Sequence, residues 1–212
     1  MNLNKEDLLL YAVTDSRWNG GNTMLEQIEK ALKGGVTLVQ LREKDLDEAS
    51  FLEEAKAAAE LCHRYGVKLI INDNVDIAIK SGADGVHVGQ SDMPASEVRK
   101  IAGPDFVIGT SARTVEAALK AQADGADYLG VGACFGTSTK SDAKAIDLSL
   151  LNDISGAVDI PIVGIGGITK ENIPDLKGRG ISGVALVSAV FAAGDITLEC
   201  RELKEIVTSV IG

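Results

Sequence analysis

The sequence has few aromatic residues, few basic residues for its acidic content, and no long hydrophobic run. Aromatic residues make up 4% of the chain against 45% hydrophobic residues in total, so a core has to be built from Val, Ile, Leu and Ala. The absence of any stretch of about 18 apolar residues argues against a membrane-spanning helix. The net charge of −10 disfavours a general nucleic-acid or anionic-membrane binder, because neither would be attracted electrostatically.

Cysteine and histidine are also scarce. The three cysteines are Cys62, Cys134 and Cys200. They are widely spaced, odd in number and without a zinc or redox spacing, which predicts reduced thiols in a cytoplasmic protein. Residues 1–7 lack the basic and apolar parts of a signal peptide. His63 falls in a predicted helix and is expected at the surface. His87 falls in a predicted strand, where a hydrogen-bonded core histidine is more common than a catalyst. No Ser/His/Asp or Cys/His arrangement is present.

Short β-rich runs alternate with helical patterns along the whole chain. The predicted strands are 8–14, 36–42, 67–72, 84–88, 105–109, 127–131, 160–165 and 182–187. The predicted helices are 22–34, 47–65, 74–82, 94–102, 114–124, 147–155, 170–178 and 189–193, with a last amphipathic segment at 197–210. The strands are apolar without clean alternation, as expected of parallel strands that are buried on both faces.

Glycine-rich connections, such as Gly34-Gly35 and Gly125-Ala126, close helices and open the next strand. With 212 residues and eight strand–helix units, the chain fits a single-domain (β/α)₈ TIM barrel covering residues 1–212. A doubly wound open sheet is the alternative. The barrel is favoured because seven of the eight strands end in polar or glycine-rich clusters, whereas an open sheet concentrates its site at one switch point.

Two carboxylates follow neighbouring strands. Asp73 comes after Asn72, and Asp92 comes shortly after Gln90. Such an oxygen-rich set suits Mg²⁺, which takes one or two carboxylates and completes its shell with water and substrate phosphates. Spacing alone equally allows Asp73 to cap the helix that starts near Asn74, and Asp92 to cap the helix after Pro94.

Cations and glycine-rich turns occupy other strand ends. Arg42, Lys44 and Lys140 could hold a phosphate or diphosphate, or could be solvated rim charges. The Gly164–Thr169 loop and Val187-Ser188 follow the last two strands, where barrels often bind phosphate on backbone N–H groups, although tight turns without a ligand have the same pattern. Residues 136–140 form another hydroxyl-rich segment, without the spacing of an ATP-type phosphate loop.

Seven ordered motifs resemble the thiamine phosphate synthase family across nearly the whole chain. The matching segments are Tyr11–Asp15, Val39–Lys44, Ile71–Asp73, Gly85–Pro94, Gly109–Ser111, Thr137–Lys140 and Gly164–Thr169, together with Val187-Ser188. Two departures are the absence of prolines around Phe135, and Arg113 at a position where many relatives have histidine.

The resemblance implies a transferase that joins 4-amino-2-methyl-5-pyrimidinylmethyl diphosphate to 4-methyl-5-(2-phosphoethyl)thiazole or its carboxylated form, releasing diphosphate. Asp73 and Asp92 would bind the cofactor Mg²⁺. The residues implied for the pyrimidine diphosphate are Gln40, Arg42, Lys44, Asn72, Ser111 and Lys140. The residues implied for the thiazole phosphate are Thr137, Ser138, Thr139, Gly166, Gly167, Val187 and Ser188.

The chemistry implied by the resemblance is dissociative, because diphosphate leaves before the thiazole nitrogen attacks. It needs no protein nucleophile or general base, which agrees with the lack of a catalytic histidine. The expected partners are two phosphorylated small molecules, without nucleic acid or membrane. The sequence leaves open whether the protein forms a homo-oligomer. The alternatives are a thiazole tautomerase-like isomerase, which would place a histidine near Ser111, and a non-catalytic phosphate-ligand sensor, which would lack the carboxylates or Lys140.

Overall fold

The computed structural model describes residues 3–18, 20–136 and 145–212. In this part of the chain, eight parallel strands form a closed barrel in sequence order. They are β1 Leu10–Val13, β2 Leu38–Leu41, β3 Lys68–Asn72, β4 Gly85–Val88, β5 Val107–Ala112, β6 Tyr128–Gly132, β7 Ile162–Ile165 and β8 Gly183–Leu186. Pairing of β1 with β8, with Leu10 opposite Val184, closes the sheet. The predicted (β/α)₈ barrel is confirmed, and the alternative of an open sheet is wrong.

Within the described ranges, α-helices surround the barrel, six of them between successive strands and two after β8. They are α1 Met24–Gly34, α2 Glu48–Arg64, α3 Val75–Ser81, α4 Ala95–Ala102, α5 Val115–Ala123, α6 Ser149–Ala157, α7 Ser188–Phe191 and α8 Ile196–Val210. Short 3₁₀ helices occupy Lys5–Leu8, Ser16–Trp18 and Ile173–Leu176. Over the described residues, none of these helices combines the length and the hydropathy that crossing a membrane would require.

The α-helix predicted over 170–178 is wrong, because only the 3₁₀ helix Ile173–Leu176 forms there. Pro174 lies in its first turn, where a missing N–H is tolerated, but Gly178 and Gly180 follow with φ of 71° and 72°. These left-handed residues end the helical path before an α-helix develops. The strand after β7 is therefore reached through a compact turn.

Local sequence signals fix the helix ends. Thr23 accepts a hydrogen bond from the Glu26 N–H at 3.2 Å, and the Glu26 carboxylate accepts one from the Thr23 N–H at 2.7 Å, which is a capping box at the start of α1. The same helix ends at Gly35, whose φ of 92° is left-handed. Because Gly34 has no Cβ, α8 can pack against the end of α1 at Cys200, and the last helix covers the first.

Two apolar layers make up the core. The larger layer lies between the strands and the helices, and the smaller one fills the barrel interior with Leu38, Ile70, Val107 and Val163 among its members. Because side chains alternate along a strand, residues two positions further along point to the same interior, closer to the carboxyl ends. The filled lower layer is therefore the floor of whatever site the upper end contains.

Candidate active site

A cavity of about 570 Å³ opens at the carboxyl ends of the strands, and residues from all eight strands line it. Eleven of the fifteen residues predicted for the site contribute to its wall. They are Gln40, Arg42, Lys44, Asn72, Asp73, Asp92, Ser111, Gly166, Gly167, Val187 and Ser188. Thr137, Ser138, Thr139 and Lys140 lie outside the described residues. The structure therefore gathers the predicted residues that it describes around one space, while their ligands stay predictions.

A second cavity, of about 620 Å³, lies between the β1–α1 connection and residues 191–197. Its two lining cations already have partners, since Arg17 binds Asp15 and the Lys30 ammonium donates to the Asn22 side chain at 2.7 Å. No predicted site residue lines it. We assign the site to the smaller cavity because the strand ends and the motif residues meet there.

Asp73 is held in an unusual backbone conformation at the end of β3. Its φ is 62°, a left-handed value that aspartate tolerates better than most residues, and its N–H donates to the His87 carbonyl at 2.8 Å. The Lys44 ammonium lies 2.7 Å from Asp73 Oδ2. The alternative role of Asp73 as a helix cap is wrong, because Asn74 caps α3 by accepting from the Ile77 N–H.

Asp92 closes the turn that follows β4. Its Oδ2 accepts a hydrogen bond from the Gly89 N–H at 2.7 Å. The N-cap position of α4 is Pro94, without a side-chain cap bond, so the alternative role of Asp92 as a cap is also wrong. Both carboxylates line the cavity.

The donor set fits Mg²⁺ better than a metal that needs an all-protein cage. Among the described residues, no cluster of three or more His, Cys, Asp or Glu side chains could enclose an ion. Magnesium is usually bound through one or two carboxylates together with water and substrate phosphates. Asp73 and Asp92, on one cavity wall beside Lys44, match that requirement if a phosphorylated substrate supplies further oxygens.

Arg42 is oriented by the end of β1. Its backbone N–H donates to Thr14 Oγ1 at 2.9 Å, and its guanidinium Nη1 lies 3.5 Å from Asp15 Oδ2. Asp15 is 3% exposed, and Arg17 contacts both of its oxygens at 2.9 and 2.6 Å. The hydrogen bonds from Arg17 hold the pKa of the Asp15 carboxyl below its usual range, so the carboxylate stays charged.

A chain of hydrogen bonds crosses the barrel interior at the base of the cavity, and Tyr11, Gln40, His87 and Ser111 from this chain line the cavity itself. Gln40 Nε2 donates to Tyr11 Oη at 2.6 Å, Tyr11 Oη lies 2.8 Å from Tyr128 Oη, and Tyr128 Oη lies 3.1 Å from His87 Nδ1. His87 Nε2 is then 3.0 Å from Ser111 Oγ. Burial raises the pKa of both tyrosines above the ordinary value, so both hydroxyls keep their protons.

The opposite wall is built from backbone. Gly166 and Gly167 have φ of 94° and 67°, and the Phe135 N–H donates to the Gly166 carbonyl at 3.0 Å. A Cβ on Gly167 would lie 2.8 Å from the Phe135 carbonyl oxygen, so only glycine allows the two loops to approach this closely. Val187 and Ser188, at the start of α7, complete this wall.

Sequence reasoning missed Asp15, Tyr11 and Tyr128 and treated His87 as a core residue. His87 is hydrogen-bonded, as predicted, but it also lines the cavity. One signal was available, because only three tyrosines exist and two of them lie in strands of an aliphatic core. A buried tyrosine hydroxyl needs a partner, which points to a polar network.

A closed parallel barrel with a polar cavity at the carboxyl ends of its strands defines the class of (β/α)₈ enzymes. A family model described as thiamine monophosphate synthase matches residues 10–190. The chain therefore belongs to the thiamine monophosphate synthase family, as the motifs predicted, and it is an enzyme of that family.

Individual relatives agree with this assignment. The chain is 52% identical over 202 residues to thiamine-phosphate synthase of Ruminiclostridium cellulolyticum, covering 95% of this chain and 96% of that protein. It is 50% identical over 202 residues to thiamine-phosphate synthase of Clostridium botulinum, with 95% of each covered. The solved structure of thiamine phosphate pyrophosphorylase from Pyrococcus furiosus superposes with a TM-score of 0.91 at 38% identity, covering 98% of this chain and 99% of that one.

Proposed function

We propose that this enzyme joins 4-amino-2-methyl-5-pyrimidinylmethyl diphosphate to the phosphorylated thiazole, giving thiamine phosphate and diphosphate. The observation that carries the proposal is the convergence of eleven motif residues from six strand ends on one cavity. Cations and carboxylates alternate there, as in the Lys44–Asp73 pair at 2.7 Å. That arrangement would suit a diphosphate bound together with a divalent cation.

The cavity divides into two halves. We assign the pyrimidine diphosphate to the wall formed by the ends of β2 to β5, with Gln40, Arg42, Lys44, Asn72 and Ser111, and to Lys140. We assign the thiazole phosphate to the wall formed by Gly166, Gly167, Val187 and Ser188, and to Thr137, Ser138 and Thr139. Arg42 and Lys44 supply positive charge on the first wall, and glycine backbone on the second allows a close approach to an anion.

Asp73 and Asp92 would hold Mg²⁺, which when bound supplies positive charge to the leaving diphosphate. The side chains of Arg42 and Lys44 stabilise the same developing charge, because both face the cavity and are oriented by Asp15 and Asp73. The interior floor, with Val13, orients the pyrimidine and excludes water from below.

Cleavage of the bond between the pyrimidinylmethyl carbon and the diphosphate oxygen leaves a cation that the electron-rich aminopyrimidine stabilises. The thiazole nitrogen then attacks this carbon. The second wall orients the thiazole for that attack, so the protein contributes proximity and electrostatic stabilisation rather than a nucleophile. No residue has to remove a proton from carbon.

The first test is product formation. Purified protein with Mg²⁺ and both substrates should yield thiamine phosphate and diphosphate, detected by mass spectrometry. Removal of Mg²⁺ by a chelator should abolish turnover, and its re-addition should restore it. Folded protein that forms no thiamine phosphate under these conditions would disprove the proposed reaction.

The second test addresses the metal ligands. Asp92→Asn should lower kcat by about 100-fold or more, because a carboxylate that helps to hold the metal is lost. Asp76→Asn is the matched control, since its side chain is 73% exposed on α3, away from the cavity. Equal activity and equal Mg²⁺ dependence of the two variants would disprove the metal assignment.

An isomerase acting on the thiazole phosphate is the second candidate, and one observation favours it. His87 Nε2 lies 3.0 Å from Ser111 Oγ, so a histidine does stand beside the serine. The same product assay separates the two functions. An isomerase would convert the thiazole phosphate without the pyrimidine substrate and without Mg²⁺.

A further inference from the structure

Five polar side chains, from five different strands, form a continuous hydrogen-bonded chain at the base of the cavity. We call this chain, Gln40–Tyr11–Tyr128–His87–Ser111, the interior relay. Its heavy-atom distances run 2.6, 2.8, 3.1 and 3.0 Å from Gln40 to Ser111. Gln40 is 4% exposed, Tyr11 1% and Tyr128 0%, so the two hydrogen bonds that join these three side chains are shielded from bulk water.

The first link fixes the direction of the relay. Gln40 Nε2 donates to Tyr11 Oη, and a tyrosine hydroxyl has one proton to give. When Tyr11 donates to Tyr128, the Tyr128 proton goes to His87 Nδ1 and every proton has an acceptor. In the opposite direction Tyr11 would accept from both Gln40 and Tyr128, and its own proton would need another acceptor although the residue is only 1% exposed, which is unfavourable.

The surrounding backbone leaves space for this relay. A Cβ on Gly109 would overlap the Tyr128 hydroxyl and lie 2.5 Å from His87 Nδ1. A Cβ on Gly130 would lie 3.1 Å from His87 Cε1. Glycine at position 109 is therefore required for the Tyr128–His87 hydrogen bond, and both glycines make room for the imidazole.

We propose that the interior relay runs in one direction, holds His87 as the neutral Nε2–H tautomer, and thereby leaves the Ser111 proton free to donate to an anionic oxygen of the substrate. His87 Nε2–H donates to Ser111 Oγ, so the serine proton points elsewhere. Ser111 lines the cavity, where an acceptor-only diphosphate oxygen repels a lone pair and attracts a hydroxyl proton. In this role Tyr11, Tyr128 and His87 are positioning residues.

The identity of the anion rests on the proposed function, but the direction of the relay does not. The substrate-free protein therefore tests the relay without any assay of turnover. The chain has only two histidines, His63 and His87, so their ring nitrogens are readily assigned by ¹⁵N–¹H correlation spectra. Spectra are recorded about one pH unit above the ordinary histidine pKa of ~6.5.

The expected spectrum shows His87 protonated on Nε2 only. A His87 protonated on Nδ1, or on both nitrogens, would overturn the proposed direction. In Tyr128→Phe the donor to Nδ1 is lost, and His87 should become a mixture of tautomers. Tyr65→Phe removes an exposed hydroxyl that bonds Glu29 and should leave the His87 signals unchanged.

Kinetics then test the link to Ser111. Tyr128→Phe should raise KM for the diphosphate substrate about 5- to 10-fold, as expected for one weakened charge-assisted hydrogen bond. In a Ser111→Ala background the same Tyr128→Phe change should have little further effect, because the group on which it acts is gone. Full additivity of the two changes in KM would show that Tyr128 does not act through Ser111, and would overturn that part of the proposal.

Discussion

Arg42 and Lys44, on the diphosphate wall, are each held by a carboxylate from a neighbouring strand end. Arg42 is paired with Asp15, and Lys44 with Asp73. Such pairing limits the rotamers of two long side chains before any substrate arrives, which lowers the entropy lost on binding. No substrate contact was predicted from the sequence for the end of β1. The structure gives this strand end a role in orienting Arg42.

Asp15→Asn should raise KM for the diphosphate substrate about tenfold, because Arg42 loses its charged partner while the packing is nearly kept. The kcat with saturating substrate should fall less. Arg17→Gln is the control, since Arg17 is 54% exposed and its loss leaves the Asp15–Arg42 pair in place. Steady-state kinetics with both variants check this, and an unchanged KM in Asp15→Asn would contradict the orienting role.

Glu43 lies between the two cations in sequence, and burial raises its pKa from 4.5 to about 7, with a further contribution from the charge of Glu54. The folded state therefore binds the proton more tightly than the unfolded state, so stability from this group falls as pH rises from 4.5 to about 7. Glu43→Gln should remove this loss. We expect Glu43→Gln to be more stable than the unmodified protein by ~1–2 kcal/mol at about pH 8. This is less than the pKa shift of Glu43 would give for a fully buried carboxyl, because the Glu43 side chain partly contacts water.

Near pH 4.5 the Glu43 carboxyl is protonated in the folded state and about half protonated in the unfolded state, so the advantage of Glu43→Gln should largely disappear. Chemical denaturation at the two pH values measures the difference. Glu53→Gln serves as the control, because that side chain is 75% exposed on α2. An advantage that did not change with pH would mean that Glu43 ionisation is not its cause.

At the scale of elements, the turns after the strands carry the strained and specialised conformations. Asp73, between β3 and α3, is the non-glycine residue with positive φ among the described residues. An L-residue in this conformation costs free energy that glycine does not, so the turn retains a carboxylate at some expense in stability. That expense at a cavity-lining position is consistent with a functional requirement for the side chain.

Asp73→Gly and Asp73→Ala test this directly. Both remove the carboxylate and its pair with Lys44, so both should lose most Mg²⁺-dependent turnover. Asp73→Gly should nevertheless be more stable than Asp73→Ala by roughly 0.5–1 kcal/mol, after the larger unfolded-state entropy of glycine is subtracted. Denaturant unfolding of the two variants measures the difference, and equal stability would contradict backbone strain at this turn.

For the whole molecule, packing of the helices and loops on the barrel buries every cysteine. Cys62 and Cys200 are 0% exposed and Cys134 is 2% exposed. Burial raises the thiol pKa to about 12 for Cys62 and Cys200 and to about 11 for Cys134. The thiolates that react with disulfide reagents are therefore scarce as well as inaccessible.

The native protein should not react with an aromatic disulfide reagent on the timescale of minutes. After denaturation, its three cysteines should release three equivalents of aromatic thiolate from the reagent per chain. Partial denaturation should expose all three thiols together, because they lie in one continuous outer core layer. Absorbance of the released thiolate measures this. Rapid labelling of a single cysteine in native protein would contradict uniform packing of this outer layer.

The sequence by itself determined the order and type of the elements, because apolar runs and glycine stops are local signals. It placed β2 within 36–42 and α8 within a residue of its observed start, and it failed at 170–178, where Pro174 and two left-handed glycines favour a compact turn. The motif residues could also be predicted from the sequence, because polar groups at the ends of apolar runs are easily recognised.

Only the tertiary structure decided which polar groups meet. Whether Asp73 and Asp92 cap helices or face the cavity depended on turn geometry, and the roles of Asp15 and Tyr128 depended on partners 27 or more residues away, such as Arg42 and His87. Sequence spacing carries no information on such distances, because they arise when eight strands close and bring their ends to one side. Polar strand ends, an aliphatic composition and the lack of catalytic histidine motifs together indicated the kind of protein. Closure of the barrel then brought the strand ends together and formed its site.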